Sequence, residues 1–194
     1  MAASLQHTFA QQRYLVMRSI VVDPLLGFLW RYVLERHALG ALARGDREVT
    51  AADGTYGDNV MEHLLERLRP QVEMATGLAL FPAYSYLRLY KTSDSLAPHR
   101  DRPACEISLS LNLGQEPPAP WPLWIAGAGR PAAVLLEPGD ALLYRGVECE
   151  HWREPYTGQR LAQVFLHYVD AAGPYAEWKY DKRERLAMMV RLPI

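Results

Sequence analysis

A histidine and an aspartate stand one residue apart, as His99 and Asp101, in the stretch PHRDRPACEISLSLNLG, just before a segment that alternates like a strand. On extended backbone that spacing puts both side chains on one face, about 6–7 Å apart at Cα, close enough to grip one ion. Alone the pair is a weak signal, because both residue types are common in turns. A second imidazole, His151, arrives much later, in LLEPGDALLYRGVECEHWREPYTGQR, after several strand-like segments whose pairing could return it to the first two. Two imidazoles and one carboxylate on a triangular face leave the opposite positions of an octahedron open. That arrangement serves non-haem Fe(II) in oxygen-using enzymes. The competing reading of His151 is a strand-end histidine bonded to a loop carbonyl.

Arg160 follows His151 by nine residues and opens RLAQVFLHYV, where it shares a side with Ala162, Val164 and Leu166. A guanidinium at the mouth of an apolar face is costly to bury without an anion, and its fork matches a carboxylate. A plain surface arginine is the alternative. Arg153, in HWREP, competes for the same role. Two residues past His151, it could share that residue's face.

The elements that must position these residues change character along the chain. Asp23-Pro24 marks a helix start and Gly40 a stop, with Leu25, Phe28, Leu29, Tyr32 and Val33 on one face between them. Residues 43–58 have no period and form a long loop, a candidate lid. A second helix begins near Asp58, with Pro70 expected to kink or split it and Gly77 to end it. Beyond Gly77 the period becomes two. Strands are expected at 83–90, 105–113, 121–127, 132–138, 140–146 and 161–169, with Pro138-Gly139-Asp140 turning between two of them. In 105–113 the polar parity (Glu106, Ser108, Ser110, Asn112) is open to a pocket-facing or a solvent-facing reading, the apolar parity to burial under helices. Helices first and then at least six short strands indicate one α+β domain, a β-sandwich or open barrel with helices on one sheet.

In order and spacing, H-x-D, a distant histidine preceded by a P-G-D turn, and G-x-R nine residues on resemble the Fe(II)/2-oxoglutarate-dependent oxygenases, nearest their prolyl-4-hydroxylase-like branch. The likeness covers roughly residues 80–170. It implies a double-stranded β-helix (jelly-roll, cupin-like) core at 79–172, helical support at 1–78 packed on one sheet, and a surface segment at 173–194, all one domain. By the same resemblance His99, Asp101 and His151 hold Fe(II), and Arg160 takes the distal carboxylate of 2-oxoglutarate. Tyr90 and Ser110 border that cosubstrate, and Asn112 is expected near it. Ser110 stands where some relatives carry a tyrosine. The implied reaction uses O2 to hydroxylate a C–H bond of an amino-acid, peptide or small-molecule substrate, with 2-oxoglutarate converted to succinate and CO2. Two rivals stay open: a cupin-like dioxygenase that does not use 2-oxoglutarate, and a non-catalytic jelly-roll binding module.

Bulk properties are those of an ordinary soluble globular protein. Of 194 residues 49% are hydrophobic and 22% charged, outside the disordered regime. A net charge of −1 gives no footprint for nucleic acid or anionic membrane. The two cysteines form neither a zinc quartet nor a disulfide framework, and the N-terminus lacks a secretory pattern, so a cytoplasmic location is expected.

Overall fold

The computed structural model describes residues 2–46 and 48–189. In chain order its elements are α1 (Ala2–Gln12), β1 (Tyr14–Met17), α2 (Leu25–Ala38), β2 (Ala43–Arg44), β3 (Asp53–Tyr56), α3 (Asn59–Thr76), β4 (Leu80–Lys91) and β5 (Leu96–His99). Then come β6 (Ile107–Glu116), β7 (Leu123–Ala126), β8 (Ala132–Val134), β9 (Ala141–Arg145), β10 (Glu150–Arg153) and β11 (Arg160–Asp170). All strand pairings are antiparallel. They make a seven-stranded sheet ordered β1-β9-β6-β11-β4-β3-β2 and a four-stranded sheet ordered β5-β10-β7-β8.

Both long helices form where the sequence marks them. Asp23 Oδ1 accepts the Gly27 N–H at 2.9 Å at the start of α2. The Asp58 side chain accepts from Val60 and Met61 N–H at the start of α3, and Gly77 ends that helix in the left-handed conformation at φ +75°. Pro70 does not split α3, which runs unbroken to Thr76. Pro70 lies on the exposed side of the helix, where water can meet the carbonyl that its missing N–H leaves free.

Strand parity decides what each sheet face does. Ile107, Leu109 and Leu111 of β6 join Ala162, Val164 and Leu166 of β11 in one core with Leu64, Leu65, Leu68 and Val72 of α3. The opposite parity of the same strands faces the four-stranded sheet, and the functional cavity lies between the two sheets. A jelly-roll core with helices on one sheet is therefore the architecture.

The segment after β11 does more than wrap the surface. Glu62 of α3, fully buried, accepts from Arg183 Nη2 at 2.7 Å and from the Ala187 N–H, and Leu186 is buried beside it. Positions 190–194 of that predicted segment lie outside the described residues. No helix among the described residues is long and apolar enough to cross a membrane.

Candidate metal centre

Two four-residue strands carry the site. β5 and β10 pair with His99 opposite His151, and their imidazole centroids are 4.2 Å apart. Asp101 follows β5 directly, its N–H donating to the Gly146 carbonyl at 3.0 Å. That anchor turns its carboxylate back toward both rings: Asp101 Oδ1 is 3.7 Å from His99 Nε2 and 3.7 Å from His151 Nε2. One donor atom from each of the three lies within 4.8 Å of the others.

The tautomers follow from the partners. His99 Nδ1 is 2.9 Å from the Ala97 carbonyl oxygen and His151 Nδ1 is 3.1 Å from that of Cys149. A carbonyl only accepts, so each Nδ1 carries the proton and each Nε2 presents a lone pair. Burial lowers the His151 pKa, against an opposing pull from Asp101, which keeps the ring in its ligating form. The loop-carbonyl bond expected of a strand-end histidine is present, and it aims the other nitrogen inward.

Behind Asp101 stands a polar support. Ser108 Oγ donates to Asp101 Oδ2 at 2.9 Å, and His167 Nδ1–H donates to Ser108 Oγ at 2.9 Å. Oδ2 is thereby held and Oδ1 left to face the imidazoles. Asp101, Cys105 and His167 form a second close trio. Burial drives the Cys105 thiol pKa well up, and its sulfur contacts the Tyr84 hydroxyl at 3.0 Å. With no thiolate and with His167 Nδ1 engaged, this trio supports the carboxylate. Ser108 shares its parity with Ser110, the one signal that could have singled it out.

The centre opens into a cavity of about 630 Å³ whose walls include Tyr84, Tyr86, Arg88, Tyr144 and Phe165. Asp46 and Glu48 bring the 43–58 segment to its edge. Asp46 Oδ1 accepts from the Glu48 and Val49 N–H groups at 2.8 and 2.7 Å, while Oδ2 accepts from Arg88 Nη2 and Nε at 2.5 and 3.1 Å. Burial pushes the Asp46 pKa up, but Arg88 and these hydrogen bonds outweigh it and hold it below its usual value.

The remaining sequence-predicted residues separate. Tyr90 is buried, its hydroxyl accepting from Arg88 Nη1 at 3.0 Å and its ring edge-on to Trp121. Ser110 is buried and accepts from Gln163 Nε2 at 2.5 Å. Asn112 is buried and engaged by backbone groups: its Nδ2 donates to the Leu136 carbonyl at 2.7 Å and its Oδ1 accepts the Gly114 N–H at 2.9 Å. Arg160 is also not brought to the site. It has the helix-facing parity of Ala162 and Val164, stands at the strand end, and pairs in solvent with Glu116 at 2.7 Å, its side chain 39% exposed. Two arginines are buried in the sheet interior, Arg88 and Arg153, and Arg153 donates to the Trp121 carbonyl and to Gln163 Oε1, both at 2.7 Å.

No family model matches the chain, and no curated protein does. Solved structures do. The epimerase SnoN in complex with Fe3+, alpha ketoglutarate and nogalamycin RO aligns with a TM-score of 0.75 at 15% identity, covering 100% of this chain and 93% of that one. EctD from S. alaskensis with 2-oxoglutarate and 5-hydroxyectoine gives 0.74 at 16%, covering 100% and 88%. A prolyl-4-hydroxylase from Pseudomonas putida gives 0.69 at 18%, covering 86% and 98%. The chain has the fold of these iron and 2-oxoglutarate oxygenases.

Proposed function

We propose that the protein is an Fe(II)- and 2-oxoglutarate-dependent dioxygenase that hydroxylates a C–H bond of a small organic or peptide substrate. The observation that carries this reading is the convergence of two proton-free Nε2 atoms and one carboxylate oxygen at the edge of a cavity, in the fold of iron and 2-oxoglutarate oxygenases. The donor set suits Fe(II): nitrogen and oxygen ligands on one side, cavity on the other. His99, Asp101 and His151 would hold the metal, which when bound supplies O2 chemistry coupled to conversion of 2-oxoglutarate to succinate and CO2.

The chain's own residues do the rest. Two backbone carbonyls hold the imidazole protons on the far nitrogens, and Ser108 pins the non-ligating carboxylate oxygen. Tyr84, Tyr86 and Phe165 give the cavity aromatic walls. The cavity volume of about 630 Å³ suits a small molecule or a single side chain. The exposed Glu48 and Arg100 give its rim both signs of charge, which favours a polar or zwitterionic substrate. The two buried unpaired cysteines accord with a reducing, cytoplasmic setting.

The test is anaerobic Fe(II) loading followed by exposure to air and 2-oxoglutarate, with succinate measured across a panel of amino acids, short peptides and small zwitterions. Succinate above the iron-only blank, lost in His99→Ala and Asp101→Ala, is expected. Iron uptake with no succinate under any condition would favour the dioxygenase that does not use 2-oxoglutarate. No iron uptake would leave a binding module.

A further inference from the structure

We propose that Arg153, on the strand of the second histidine, binds the distal carboxylate of the cosubstrate in place of Arg160. This rests on the 2-oxoglutarate reading given above. Arg153 is 4% exposed, and its hydrogen bonds go to two neutral acceptors, the Trp121 carbonyl and Gln163 Oε1. Among the described residues no carboxylate pairs with it. Arg88, the other buried arginine of this interior, is neutralised by Asp46.

A guanidinium withdrawn from water with no counter-ion is unfavourable, and its fork is shaped for a carboxylate. Two of its five N–H groups have acceptors; the rest are free to take an anion.

The surroundings fix where that charge points. The Trp121 ring lies 4.2 Å from the guanidinium carbon and the Tyr90 ring 6.0 Å, so one side is closed by aromatic faces. Gln163 is itself held by Ser110, which orients its oxygen toward Arg153. His151 and Arg153 stand two apart on β10, and both are buried. The guanidinium reaches Trp121, just before β7, and Gln163 on β11. An acid chelated through its 2-oxo end at the triad therefore has its cation on the same strand.

The test uses full-length protein loaded anaerobically with Fe(II). Calorimetry compares binding of 2-oxoglutarate with that of 2-oxopentanoate, which replaces the distal carboxylate by a methyl group. The wild type is expected to prefer 2-oxoglutarate strongly. Arg153→Gln should weaken 2-oxoglutarate by about 100-fold and leave 2-oxopentanoate within a few-fold. Arg160→Gln should match the wild type for both ligands. Should Arg153→Gln not fold, Arg153→Lys serves, with an expected loss of about 10-fold confined to 2-oxoglutarate. The proposal is overturned if a folded Arg153 variant keeps the wild-type preference, or if Arg160→Gln is the variant that loses it. A wild type that takes up iron but binds neither acid overturns the 2-oxoglutarate reading itself, a different result from preference kept by the variants.

Discussion

Gly146 is where a single carbon atom should disable the metal centre. It follows β9, accepts the Asp101 N–H through its carbonyl at 3.0 Å, and donates its own N–H to the Glu106 carbonyl at 3.0 Å. A Cβ added here would lie 2.2 Å from the Cys105 carbonyl oxygen, 2.4 Å from Asp101 Oδ2 and 2.9 Å from Ser108 Oγ, where ordinary contact begins at 3.4 Å. The nearest of these atoms is backbone and cannot swing aside. The second belongs to the proposed ligand. Restoring contact moves the carboxylate by about 1 Å, whereas metal–ligand distances tolerate only ~0.2 Å. Gly146→Ala should therefore weaken Co(II) or Fe(II) binding by 10- to 100-fold or more, the range for lost support of a ligand, and cost about 1–3 kcal/mol of stability from overpacking. Anaerobic Co(II) titration followed by absorbance, with circular dichroism to verify folding, reads both. Gly129→Ala is the control, since its Cβ would meet nothing within 4 Å. A folded Gly146→Ala protein with wild-type metal affinity would refute the placement of Asp101 in the centre.

Other perturbations follow from the same geometry. Burial holds His167 at a pKa of about 4, against 6.5 for the free side chain, so between those values the unfolded chain binds the extra proton and stability falls as acid is added. The loss is on the order of 3 kcal/mol, and urea midpoints should fall more steeply with acid in wild type than in His167→Gln; parallel curves would discard the mechanism. Asp46→Asn keeps a side-chain oxygen for the loop N–H groups but weakens the pair with Arg88, so deuterium uptake at 48–52 should rise about 10-fold without change in metal affinity. Glu62→Leu leaves Arg183 without its partner at 2.7 Å, and should cost about 2–4 kcal/mol and speed proteolysis after Gly173.

Much of the scaffold was legible because its signals are local. Caps at Asp58 and Gly77 and the alternation of β4, β6 and β11 each act within a few residues, and each element formed close to where its pattern lay. The strands that bring His99 and His151 together were not legible. β5 reads LAPH and β10 reads EHWR, too short for periodicity, with proline in one and charge in the other. They are strands because each pairs with the other as neighbours in the four-stranded sheet, with β10 also pairing with β7. The motif spacing, not the element pattern, located the triad, since a donor set needs only the right residue types on segments the fold can bring together.

Arg160 shows what alternation leaves undecided. It tells which residues of a strand share a side but not which side is the interior, and β11 is buried on both. The deciding information lay on the neighbouring strand. Ile107, Leu109 and Leu111 of β6 are apolar against Ser108 and Ser110, so the serine side is the one that can face a polar centre. The β6–β11 register then pairs His167 with Ser108 and Phe165 with Ser110, while Leu166 pairs with Leu109 and Val164 with Leu111. Residues paired across a ladder point to the same face, which puts Ala162, Val164 and Leu166 against the helices and Arg160 with them. On β10, by contrast, His151 and Arg153 are buried and Glu150 and Trp152 less so. If His151 binds metal, the residue two positions on looks into the same interior, and that residue is an arginine with no anion beside it.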